Sequence, residues 1–201
     1  MKKFKQNQLK DAAKLLNQGG VLAFPTETVF GLGVVYDNKD AYSDLVSIKR
    51  RPPEKPFTLM CAETKDIEKY AYINESAKKL IDKYIPGQFT IILKAKEDLP
   101  SYVRSKEGFV GIRVPDYPLV QNLIKEVGKP LLVPSANRSG EQPAHTSDEV
   151  INNFDDEIDG VILGESVSNT PSTVVFVDKD VYIVREGLIS KKDIVKTLKE
   201  E

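Results

Sequence analysis

Apolar positions recur with two different periods along this chain, and the two alternate. Leu9, Ala12, Ala13 and Leu16 fall three or four residues apart, the spacing of one helix face. They predict a helix over about 5–18 that Gly19-Gly20 stops. The apolar run at 21–24 reads as a strand broken by Pro25. Helical spacing returns at 40–50, with Ala41, Leu45 and Ile48 facing inward, and Pro52 allows little helix beyond it. A strand at 57–62 precedes two helical patterns at 67–71 and 75–84. Strands follow at 88–95 and 109–114, then a helix at 118–127 opened by Pro118 and closed by Gly128, then a strand at 131–133. Thr146-Ser-Asp-Glu149 is a capping box opening another helix. After strands at 161–163 and 172–177, Asp178-Lys-Asp180 turns the chain back into a partner strand at 181–185. Ser190-Lys-Lys-Asp193 caps a last short helix.

Strands and helices therefore interleave, while the hairpin adds antiparallel pairing. The predicted fold is a single α/β domain over residues 1–201, a mixed twisted sheet flanked by helices. Pro25-Thr26-Glu27-Thr28 and Pro134-Ser135-Ala136-Asn137 each follow a strand, at the edge where open α/β sheets bind ligands. Composition changes this picture little: 40% apolar and 29% charged residues are ordinary for a soluble globular protein. No apolar run is long enough to span a bilayer, and no apolar stretch follows the basic N-terminus as in a signal peptide. With a lone cysteine, Cys61, these features predict a cytoplasmic protein without membrane association. A net charge of −1 gives no bulk attraction for nucleic acid, so any basic function must come from local clustering.

Several chemistries find no support in the residues. Neither G-x-x-x-x-G-K-[ST] nor G-x-G-x-x-G is present, and Gly31-Leu32-Gly33 alone is a weak signal. The single histidine, His145, lies in a polar loop where solvation or capping is expected. One cysteine and one histidine make a zinc site improbable, and no metal ligand set is predicted. Cys61 follows an apolar run and reads as a buried, inert thiol. Asp155-Asp156-Glu157 reads as a solvated acidic surface.

A site built from Lys, Arg, Ser, Thr and Asn remains, residues that bind anions and stabilise charge at phosphorus. In SIKRRPPEKP, Lys49 and Arg51 stand at a helix end before Pro52 and Pro53. The segment is either a rigid corner presenting both cations to one polyanion or a solvated helix C-terminus favoured by the dipole. Pro134-Ser135-Ala136-Asn137-Arg138-Ser139-Gly140 packs hydroxyls, an amide and a guanidinium into one turn, and Pro171-Ser172-Thr173 precedes an apolar strand. Arg113 and Arg185 interrupt apolar strand patterns and need partners, either an acidic side chain or a bound phosphate.

Taken together, FPTETVFGLG, Lys49-x-Arg51-Pro52, Pro134-Ser-Ala-Asn137, Ser172-Thr-Val-Val and the closing VREG resemble the YrdC/Sua5 family of threonylcarbamoyl-AMP synthases, across about Gly19 to Gly187. The resemblance is to the short form, without an additional C-terminal domain, and implies a YrdC-like fold with a basic central cavity. It also implies synthesis of threonylcarbamoyl-AMP and pyrophosphate from L-threonine, bicarbonate and ATP, for the t6A modification of tRNA. Magnesium would accompany the ATP, and the product would pass to a tRNA threonylcarbamoyl transferase complex. By the same resemblance, Lys49 and Arg51 would contact ATP phosphates or the carbamate. Arg113, Asn137 and Arg185 would orient the nucleotide, while Thr26, Ser135 and Ser172 would hold threonine. The proton acceptor for the amine is left between Glu27 and water. One departure is Met60, in KPFTLM, where many members carry a histidine; FTLMC is similar to the YciO branch. Two other readings stay open: an RNA-binding module of this fold, and a YciO-like enzyme with a different small substrate.

Overall fold

The computed structural model describes residues 1–51, 56–168 and 170–200. The expected proline corner at Pro52 and Pro53 lies outside the described residues.

Ten strands form one mixed sheet: β1 (Lys2–Phe4), β2 (Leu22–Phe24), β3 (Gly31–Val35), β4 (Leu59–Met60), β5 (Phe89–Lys94), β6 (Phe109–Arg113), β7 (Leu131–Leu132), β8 (Gly160–Ile162), β9 (Thr173–Val177) and β10 (Val181–Arg185). Their order across the sheet is β1-β8-β2-β3-β7-β4-β6-β5-β9-β10. Four pairs are parallel (β1 with β8, β8 with β2, β4 with β6, β5 with β9) and the other neighbours are antiparallel, the mixed sheet expected from the sequence.

The helices are α1 (Leu9–Asn17), α2 (Lys39–Lys49), α3 (Ile67–Tyr70), α4 (Glu75–Tyr84), α5 (Pro118–Val127), α6 (Ser147–Phe154) and α7 (Lys191–Lys199). Side-chain caps hold several starts: Asn38 accepts from Ala41 N, and Thr146 and Ser190 make the expected capping boxes. Gly128 closes α5 in the left-handed region.

Three expectations change. The first helix begins at Leu9 rather than near Lys5, because residues 5–8 form a turn in which Gln8 N donates to Lys5 O, and Lys2–Phe4 before it is a strand paired with β8. Gly31–Val35 is a full central strand between β2 and β7. The glycines there make room: a Cβ on Gly33 would stand 2.5 Å from Phe24 Cε1, and one on Gly31 2.6 Å from Val133 Cγ1. The strand expected over 57–62 shortens to Leu59–Met60.

Alternation along the strands sorts the core into two layers. Val21, Ala23, Leu59, Cys61 and Leu132 pack with α2, α3, α4, α6 and α7. Leu22, Phe24, Met60, Leu131 and Val133 point the other way and pack with α1 and α5. That second layer draws its buried residues from strands β1, β8, β2, β3, β7 and β4 and from none of β6, β5, β9 or β10. The last four strands bury one face under the first layer, through Val110, Ile112, Phe89, Ile91, Val175 and Val177. Their opposite face carries no helix from either layer, and this bare surface is the floor of a cavity.

Candidate active site

The cavity has a volume of about 710 Å³. Its floor comes from β5 (Thr90, Ile92), β6 (Phe109, Gly111, Arg113), β9 with its approach (Ser172, Val174, Phe176) and β10 (Tyr182, Val184, Arg185). One residue in two along a strand faces a given side, so Arg185 next to Val184 breaks the rule. A register shift between Ile183 and Arg185 explains it: the bulge rotates Arg185 back over the floor. There Arg185 donates through Nε and Nη2 to Ser172 O at 3.0 and 2.9 Å, and through Nη2 to Ser172 Oγ at 3.1 Å. Ser172 Oγ in turn meets Thr90 Oγ1 at 2.9 Å.

Lys49 and Arg51 part company. Arg50, between them, caps α2 with φ 49°, a left-handed turn that sends its neighbours in different directions. Lys49 is 2% exposed, and its ammonium donates to Ser135 O (2.6 Å), Asn137 O and Asn137 Oδ1 (2.9 Å). Ser135 Oγ closes the same loop onto Asn137 Oδ1 at 2.5 Å. Burial, with the like charge of Arg51 adding to it, pushes the Lys49 pKa down to about 8. Arg51 instead lines the cavity, its guanidinium 5.2 Å from the Phe57 ring centroid and donating to Pro56 O at 3.3 Å.

The choice left open for Arg113 resolves to an acidic partner. Its Nη2 meets Glu27 Oε1 at 2.7 Å with both side chains buried, and Nη1 donates to Thr28 Oγ1 at 3.1 Å. Glu27 Oε1 also accepts from Asp116 N, which anchors the carboxylate behind the floor. Glu27 Oε2 and Arg113 Nε are buried without a partner. Thr26 folds its own turn, accepting from Thr28 N and donating to Val29 O at 2.7 Å. Thr28, two residues on, reaches the cavity wall.

Of the eight residues singled out from sequence, the structure sets Arg51, Arg113, Ser135, Ser172 and Arg185 around one cavity. Lys49, Asn137 and Thr26 stand behind its lining and shape the loops that carry it. Thr28, Thr90, Phe109, Phe176 and Tyr182 were not singled out. For the last four the signal, alternation on strands that share a bare face, appears only once strand order is known, whereas Thr28 lies in the bend between β2 and β3. Met60 also lines the wall. His145 stays outside the cavity lining, its Nδ1 3.2 Å from Ser166 Oγ, and Cys61 is buried with its thiol pushed up to about 12. Glu157 is not merely solvated: it pairs with Arg138 at 2.6 Å, and that guanidinium lies over the Phe154 ring.

Burial lowers the pKa of both Arg51 and Arg185, and nearby Arg113 adds to the effect on Arg185. Both therefore gain from an anion in the cavity. Glu107 also lines the wall, and Arg113 has its counter-charge in Glu27. Among the described residues no group of three or more His, Cys, Asp or Glu side chains could hold a metal ion, and no helix is long and apolar enough to cross a membrane. The arrangement suits a polyanion held by guanidinia beside a small polar ligand held by hydroxyls.

Comparison with known proteins bears on the family and the fold. Residues 14–187 match the Sua5/YciO/YrdC family, described as telomere recombination. A putative threonylcarbamoyl-AMP synthase of Methanocaldococcus jannaschii is 38% identical over 88% of this chain and 83% of its own. The threonylcarbamoyl-AMP synthase of Bacillus subtilis is 37% identical over 93% of this chain, which spans only 55% of that longer protein. Among solved structures, P. abyssi Sua5 complexed with L-threonine superposes with a TM-score of 0.92 at 28% identity, over 99% of this chain and 61% of that one. E. coli YciO superposes at 0.89 and 27% identity, over 96% and 100%. With the match extending over most of the chain and both branches sharing its fold, this protein belongs to the Sua5/YciO/YrdC family.

Proposed function

We propose that the bare sheet face is the active site of an L-threonylcarbamoyladenylate synthase, a nucleotidyltransferase acting on L-threonine, bicarbonate and ATP. One observation carries the reading: three guanidinia, Arg51, Arg113 and Arg185, converge with the hydroxyls of Thr28, Ser135 and Ser172 on one cavity. The lining described includes no histidine or cysteine. The proposed reaction needs none. The threonine amine adds to bicarbonate with loss of water to give a carbamate. A carbamate oxygen then attacks the α-phosphorus, and pyrophosphate leaves. What the protein must supply is alignment of three charged reactants and compensation of the charge that grows between them.

Arg51 and Arg185 take the phosphates. Arg113, held by Glu27, and the hydroxyls of Thr28, Ser135 and Ser172 take threonine and its carboxylate. Lys49 and Asn137 act through the loop they shape, holding Ser135 in place. Glu27 is committed to Arg113 and Asp116 N, so water is the better acceptor for the amine proton. Magnesium enters as part of the substrate, on the triphosphate, where it keeps phosphate and water oxygens as ligands. A mixed anhydride of this kind hydrolyses readily, so its consumer is a tRNA threonylcarbamoyl transferase complex working close by.

The test is pyrophosphate release by the pure protein. Release should require ATP, L-threonine and bicarbonate together, and Arg51→Ala should lower it at least about tenfold, about 1.4 kcal/mol. Release independent of threonine, or unchanged in Arg51→Ala, would sink the reading. A second reading, a YciO-like enzyme with another small substrate, is favoured by Met60, an apolar side chain in the cavity wall. Release that depends on a different amine or acid in place of threonine would support it.

A further inference from the structure

The connection from β5 to β6 holds a second cavity, of about 560 Å³, that the reaction proposed above does not use. Ser101, Tyr102 and Ser105 bring hydroxyl-bearing side chains to it, Arg104 and Lys106 bring two cations, and Glu107 brings one carboxylate. Ser105 and Glu107 also line the active-site cavity, so the two spaces meet across them. The loop is tied down at several points. Ser105 N donates to Phe109 O at 2.7 Å, Gly108 N to Ser105 O at 2.9 Å, and Ala95 N to Gly108 O at 2.9 Å. The Lys94 ammonium donates to Glu107 O at 2.9 Å, and Gly108 turns the chain at φ 82°. A loop braced in this way loses little freedom when a ligand arrives.

Arg104 points to the ligand. It is half-buried, and among the described residues its guanidinium makes no hydrogen bond and no salt bridge. The acids around it are engaged elsewhere. Glu97 accepts from Tyr72 Oη at 2.7 Å, and a hydrogen bond from Ser105 holds the Glu107 carboxyl below the usual carboxylate range, with Lys106 adding to it. A guanidinium partly withdrawn from water gains from an anion that meets it in hydrogen-bonding geometry. The neighbourhood says which anion. Tyr102 packs on Tyr42 with centroids 4.7 Å apart, Tyr42 meets Phe57 at 5.8 Å, and the Arg51 guanidinium stands 5.2 Å from the Phe57 centroid. The loop therefore adjoins the part of the active cavity where Arg51 takes the phosphates.

We propose that residues 101–108 form a second anion site, outside the active cavity, that receives pyrophosphate as it leaves. The Arg104 fork suits one phosphoryl group and the Lys106 point charge the other, with the hydroxyl groups beside them. The proposal rests on the nucleotidyltransferase reading for the source of its ligand, while pyrophosphate from solution fills the same site. Holding the product there keeps it from the reverse reaction, in which a pyrophosphate oxygen attacks the α-phosphorus of the adenylate, the carbamate leaves and ATP re-forms.

Calorimetry with pyrophosphate tests the site without turnover. Arg51→Ala serves as the background, because it weakens binding in the active cavity, and Arg104→Ala or Lys106→Ala is added to it. Arg104→Ala should weaken pyrophosphate at least about tenfold, about 1.4 kcal/mol. Lys106→Ala, at an exposed position that the fold does not need, should weaken it in the same direction. Affinity unchanged by Arg104→Ala, or no pyrophosphate binding to the Arg51→Ala protein, overturns the proposal. A turnover assay addresses the source of the ligand. Added pyrophosphate should slow wild type at lower concentrations than it slows Arg104→Ala, and equal inhibition of the two would contradict a role in release. If no threonylcarbamoyl-AMP forms yet Arg104→Ala still loses pyrophosphate, the anion site stands and the synthase reading falls.

Discussion

Lys49 and Arg51 differ by one intervening residue and by everything around their charges. The left-handed Arg50 turns Lys49 inward onto three oxygens of the Ser135–Asn137 loop and leaves Arg51 at the cavity. Removing the Lys49 ammonium leaves buried acceptors unmatched, and Lys49→Met should cost about 1–3 kcal/mol of stability at pH 7 by urea melts. The pH dependence has a definite sign. An unfolded lysine keeps its proton to about pH 10.4, whereas folded Lys49 releases it near 8, so between these values the unfolded chain binds more protons. The contribution of Lys49 to stability therefore rises with pH across that window, on the order of 1–2 kcal/mol between pH 8 and 9.5. Wild-type melts should show this component, and Lys49→Met should lack it. Equal slopes in the two proteins would mean that Lys49 is not held as described. Sequence alone could flag the residue as chemically important, but not the turn at Arg50 that decides which way its ammonium points.

Most elements were legible because their signals are local. Helix α5 carries its own proline start and glycine stop, α6 and α7 their capping boxes, and the β9–β10 hairpin its Asp-Lys-Asp turn. Two strands were not legible, for opposite reasons. β1 is three residues long with two lysines, and pairs with β8 more than 150 residues away. β3 begins Gly-Leu-Gly, which weakens any strand signal, because Phe24 and Val133 occupy the space where two side chains would stand. Gly33→Ala should cost about 1–3 kcal/mol by overpacking against Phe24, measurable as a shift in urea midpoint at constant slope. A neutral result would mean the β2–β3 packing is looser than described. The bulge in β10 was equally invisible in sequence, yet it brings Arg185 onto the cavity floor.

Across the whole molecule, the site is made by incomplete coverage. α1 and α5 roof one face of the sheet from β1 to β4 in its spatial order, and the roof stops before β6, β5, β9 and β10. The uncovered strands turn Arg113, Ser172 and Arg185 and, farther along, three aromatic rings toward the same opening. The motif residues were readable one by one, but the face they share depends on a ten-strand order that joins distant segments. The most direct measurement of the central claim is the identity of the product. The protein is incubated with ATP, magnesium, L-threonine and carbon-13 bicarbonate, and the mixture is analysed by mass spectrometry. The account predicts threonylcarbamoyl-AMP carrying one heavy carbon, formed with pyrophosphate and strongly reduced in Arg51→Ala. Folded protein that yields no such adenylate above a protein-free control would contradict it.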